Sequence, residues 1–65
     1  MQGRIKFASD RGYGFITLDH ALAQDVFFLW DPLKPPLRRG DEVTFWLDDD
    51  PRREGEWIGV DVEPV

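Results

Sequence analysis

Apolar residues recur along this chain with a period of two, the spacing that places alternate side chains on opposite faces of a strand. Residues 12–18 (GYGFITL) show it most cleanly: Tyr13, Phe15 and Thr17 share one face, and Gly14, Ile16 and Leu18 the other. Residues 25–30 (DVFFLW) set Val26 and Phe28 against Phe27 and Leu29. Residues 41–47 (DEVTFWL) keep Val43, Phe45 and Leu47 in phase, with Thr44 and Trp46 opposite. Residues 56–62 (EWIGVDV) keep Ile58, Val60 and Val62 in phase, and residues 3–7 (GRIKF) alternate more loosely. Five short strands are expected.

The connectors carry turn chemistry. Residues 9–12 (SDRG) read as a tight turn and 48–55 (DDDPRREG) as a charged hairpin loop. Three prolines exclude a long helix from 31–41 (DPLKPPLRRGD). The segment 19–24 (DHALAQ) has helical residues but is shorter than two turns, so it reads as a loop with a solvated His20. Short strands separated by turns predict a small all-β barrel, which also removes the edges on which a small sheet would aggregate. Gly12 and Gly14 then serve where a tightly coiled strand cannot accept a Cβ.

A barrel needs one face of each strand for its interior. Ile5, Ile16, Leu18, Val26, Phe28, Val43, Phe45, Leu47, Ile58, Val60 and Val62 fill it. That leaves Tyr13, Phe15, Phe27 and Trp30 outside, and the outward rings of the second and third strands form one patch. A patch of that size usually marks a binding site. Trp46 and Trp57 also take the outward phase, close enough to lie near each other. They offer either a shield for the far side or a surface for a protein partner or a second copy of the chain.

With 65 residues, a single domain spanning 1–65 is expected. The absence of cysteine excludes disulfides and thiolate zinc sites. No apolar run approaches the ~18 residues of a membrane span, and the N-terminal residues do not read as a signal peptide, so a cytoplasmic location is expected. No nucleophile–base pair or phosphate-cradling loop stands out, and neither enzyme activity nor a cofactor is expected. Asp48, Asp49 and Asp50 read as a solvated turn, since they lack the ligand spacing of a calcium loop.

The net charge of −5 weighs against a nucleic-acid partner until its distribution is considered. Residues 1–40 hold six cations against four acids, and residues 41–65 hold Arg52 and Arg53 against nine. The aromatic patch lies in the cationic part. Flat rings beside Lys6 and Arg11 suit single-stranded RNA or DNA, whose bases stack on aromatic faces while cations follow the phosphates.

RGYGFI (11–16) and VFFLW (26–30) resemble the two ribonucleoprotein motifs, in the order and spacing of the bacterial cold-shock domain. MQGRIKF and LRRGDEVTF extend that resemblance over nearly the whole chain. It implies a five-stranded antiparallel OB-fold barrel that binds single-stranded RNA or DNA and often acts as an RNA chaperone. It also implies ligand contacts from Lys6, Phe7, Arg11, Tyr13, Phe15, Phe27 and Trp30. The chain departs from the family in keeping one ring, Phe7, in its first strand. Leu29 stands where the family carries histidine, and Lys34, Arg38 and Arg39 stand in a shortened third loop. Those departures motivate the alternative of a diverged barrel that binds a protein through Leu29, Trp30, Trp46 or Trp57.

Overall fold

All five β-rich runs form strands in the computed structural model, which describes residues 1–18 and 25–65. The segment read as a loop with solvated His20 lies outside the described residues. The strands are β1 (Gln2–Ser9), β2 (Tyr13–Leu18), β3 (Asp25–Leu29), β4 (Glu42–Asp49) and β5 (Trp57–Pro64). They close into a barrel in the order β1-β2-β3-β5-β4. The protein is an all-β, five-stranded barrel of OB type. Four seams are antiparallel, and the fifth, β3 with β5, is a short parallel contact that pairs Phe27 with Ile58 and Phe28 with Gly59. Alternation does not report strand direction. The parallel seam needs a long crossover, and residues 31–41 together with β4 supply it.

Ile5, Ile16, Val26, Phe28, Val43, Phe45 and Val62 are buried in one core cluster, and Leu18 and Leu47 pack against it half-buried. Leu37 also joins the core, from the proline-rich connector, which the expected core did not include. Gly14 sits across from Phe28, and a Cβ there would meet the Phe7 carbonyl oxygen and approach Phe28 Cε1 to 2.7 Å. The missing side chain at 14 is what admits the Phe28 ring. Gly12 closes the 9–12 turn with φ +95°, a conformation L side chains rarely adopt, and its carbonyl accepts the Trp30 N–H at 2.9 Å.

Two bulges correct the simple alternation. In β1 the register shifts between Ile5, opposite Ile16, and Phe7, opposite Phe15. Lys6 is the extra residue, and Phe7 is thereby turned outward. In β5, Thr44 pairs with Glu63 but Trp46 pairs with Val60, so β5 carries one residue too many. Asp61 takes up that excess at φ 51°. Val60 therefore leaves the interior phase and lies half-buried opposite Trp46. Gly59 faces inward in its place, with its Cβ position 3.5 Å from Phe45 and Val26. Ile58 is buried, but outside the main cluster.

The same shift separates the two tryptophans. Trp57 shares its phase with inward-facing Gly59, whereas Trp46 points outward and is 66% exposed. They stand on opposite faces of the β4–β5 pair, not side by side. Asp50, read above as part of a solvated turn, is only 5% exposed.

Candidate nucleic-acid interface

The outer face of β1–β2–β3 is built from cross-strand neighbours: Phe7 opposite Phe15, Phe15 opposite Phe27, and Tyr13 opposite Leu29. Their rings touch in sequence. Phe7 and Tyr13 have centroids 6.2 Å apart, Tyr13 and Phe27 stack at 6.1 Å, and Phe15 meets Phe27 edge-on at 5.7 Å. Phe7 is 48% exposed at one margin of the run, and Leu29 is exposed at another. The run thus brings together Phe7, Tyr13, Phe15 and Phe27, with Leu29 as an apolar border.

Trp30 does not join it. By parity, residue 30 falls in the inward phase of Val26 and Phe28, and the indole packs half-buried against the core. Its Nε1 donates to the Pro35 carbonyl at 3.1 Å, and the Lys34 ammonium lies 5.0 Å from its ring. With Gly12, Pro32, Pro36 and Leu37 they wall a separate cleft of ≈ 280 Å³ next to the 9–12 turn. The expected single shelf of Tyr13, Phe15, Phe27 and Trp30 is therefore a run of Tyr13, Phe15 and Phe27 with Phe7 in place of Trp30, beside a distinct Trp30–Lys34 cleft.

The predicted cations divide in the same way. Lys6, the bulged residue, pairs with Asp25 at 2.7 Å, and the second oxygen of that carboxylate lies 3.5 Å from the Thr17 hydroxyl. Arg11 is exposed in the 9–12 turn, two residues before Tyr13. Arg38 is exposed as well, but its backbone N–H is tied to Asp41 in a turn whose Gly40 and Asp41 bond to the Ile5 backbone, away from the rings.

The structure adds two cations that the sequence reading assigned to the acidic part. The Arg53 guanidinium lies 4.8 Å from the Phe27 centroid, and that of Arg52 lies 5.8 Å away. Asp50 organises both. It accepts from the Arg52 backbone N–H at 2.9 Å and from Arg53 Nε at 2.9 Å. These bonds, the Arg52 N–H foremost, hold its carboxyl below the ordinary 3.8, against the opposing pull of burial. The signal was present as two adjacent arginines in DPRREG, masked by the three preceding acids.

Trp57 was also missed as a neighbour of the rings. It lines a cleft of ≈ 130 Å³ with Phe15, Phe27, Asp25, Arg53 and Glu56. The face as a whole offers exposed Phe7, half-buried Tyr13, Phe15 and Phe27, two guanidiniums over the Phe27 ring and one ring-lined recess. Such a surface can accept planar groups by stacking and anions at its edge.

No family model matches this chain, and no curated protein or solved structure matches it either.

Proposed function

We propose that this protein binds single-stranded RNA or DNA by stacking bases on the outer face of β1–β3. The observation that carries the reading is the continuous run Phe7–Tyr13–Phe27–Phe15, turned outward and bordered by Lys6, Arg52 and Arg53. Core packing does not require this run, since the interior is filled from the opposite phase of the same strands. Each stacked base contributes roughly 1–3 kcal/mol. Duplex nucleic acid, whose bases are already stacked, is a poor match.

Two further features support the reading. In OB barrels the face of strands two and three, with the loops between strands one and two and between four and five, is where oligonucleotides sit. Here those loops place Arg11 and the Arg52–Arg53 pair. The resemblance of RGYGFI and VFFLW to cold-shock motifs points the same way. On this reading the protein is a diverged cold-shock-like domain acting on intracellular single strands, as an RNA chaperone or a modulator of transcription or translation.

The test is a tryptophan-fluorescence titration with heptamers of each base, repeated across salt concentrations. Quenching that saturates supports the proposal, as does a log–log salt slope near −0.7 for each of ~2–4 phosphates. No response to any heptamer would sink it.

A second reading rests on Trp46. An indole exposed to 66% on β4, beside Asp48 and opposite Val60, is a candidate anchor for a protein partner. An interaction that survives nuclease and Phe15→Ala but fails with Trp46→Ala favours it.

A further inference from the structure

The recess beside the ring run differs chemically from the open face. Three aromatic side chains from three strands line it: Phe15, Phe27 and Trp57. Val26, Leu18 and Leu47 also line it, together with two acidic residues, Asp25 and Glu56, and Arg53. A recess meant only to hold a phosphate would not be ring-lined, and one meant only for apolar contact would not carry two acids.

The two acids are not equivalent. One Asp25 oxygen is held by Lys6 at 2.7 Å and the other faces Thr17. The Glu56 carboxylate has no partner among the described residues. Its backbone is nevertheless fixed. The Glu56 N–H donates to the Arg53 carbonyl at 3.1 Å, and its own carbonyl accepts from Asp50 N–H at 2.9 Å. A carboxylate without a partner among the described residues, on an anchored backbone and next in sequence to an indole, is suited to read the edge of a stacked base.

We propose that this recess is a guanine-selective subsite in which Glu56 reads the base. The inference rests on the stacking function proposed above and specifies its base preference. An ionised carboxylate only accepts hydrogen bonds, and its two oxygens match a pair of adjacent donors. Guanine presents such a pair, N1–H and the N2 amino group, on its Watson–Crick edge. Adenine and cytosine present one amino group beside a ring acceptor. Uracil and thymine present one N–H between two carbonyl oxygens, which a carboxylate repels. Arg53 gives one N–H to Asp50 and keeps further guanidinium donors for the guanine O6. The same carboxylate disfavours a phosphate in the recess, so the backbone of the strand stays on the open face.

The full chain is titrated with a thymidine heptamer and with heptamers carrying a single central guanine, adenine or cytosine, read by tryptophan fluorescence. The guanine heptamer is expected to bind about tenfold tighter than the thymidine one, the scale of one bidentate base contact. Glu56→Gln replaces one acceptor by a donor at constant size. It should abolish the difference between the guanine and thymidine heptamers while the thymidine heptamer still binds, which also shows that the variant is folded. Equal affinity for the guanine and thymidine heptamers overturns the assignment, as does a guanine preference that persists in Glu56→Gln, and both leave the stacking function standing. Failure of every heptamer to bind overturns both.

Discussion

The Arg53 guanidinium lies 4.8 Å from the centroid of the Phe27 ring, while its Nε is held at 2.9 Å by the buried carboxylate of Asp50. The β4–β5 loop is thereby fastened to the edge of the ring face. A cation that would otherwise sample many rotamers is fixed over the Phe27 ring.

Arg53→Gln is therefore expected to weaken oligonucleotide binding at low salt and to reduce the magnitude of the log–log salt slope by about 0.7, the contribution of one phosphate contact on a single strand. An unchanged slope means that Arg53 only supports the loop. Titrations at several salt concentrations decide between the two.

The division between the ring run and the Trp30 cleft predicts a division between affinity and stability. Phe15→Ala and Phe27→Ala should each weaken thymidine-heptamer binding by roughly 1–3 kcal/mol. Trp46→Ala, on the far face, should not alter that affinity. Trp30→Ala should act mainly through stability, because its indole packs on the core and donates to Pro35. Fluorescence titration of the Phe and Trp46 variants and urea denaturation of the Trp30 variant test the three statements separately.

Gly14→Ala should destabilise the fold by about 1–3 kcal/mol, the usual range for overpacking. Its Cβ would press on the Phe7 carbonyl and on Phe28. The fold of so small a chain has little margin for such a loss. A shifted urea midpoint at unchanged m-value is the expected signature.

Asp50 predicts an acid-dependent contribution. Its folded pKa lies below the ordinary 3.8, so its ionised form stabilises the fold fully above that value. The contribution is lost as pH falls below 3.8 through the lowered folded value. Asp50→Asn cannot ionise and should show a flatter stability profile in that window. Parallel denaturation curves at descending pH check it; identical slopes for both chains contradict the role given to Asp50.

The sequence by itself determined the strands, their number and most of the core. Each strand is short, and period-two alternation within it is enough to sort Ile16 and Phe28 inward and Tyr13, Phe15 and Phe27 outward. The tight turn at Gly12 and the exclusion of Cβ at Gly14 were also legible, the first from the SDRG turn chemistry and the second from a glycine set between two rings in a strand. What alternation does not reveal is an inserted residue. The bulge at Lys6 turns Phe7 out to meet Tyr13, and the left-handed Asp61 puts Gly59 inside and Val60 outside. Each is a matter of register between two paired strands, so the pattern within either strand alone does not announce it. The same holds for Leu37, carried into the core by a connector, and for Asp50. That carboxylate is buried because the loop folds back on its own arginines. Tertiary closure also decided the composition of the site. It moved Trp30 to a neighbouring cleft and brought Arg53 and Trp57, remote in sequence, to the margin of the rings.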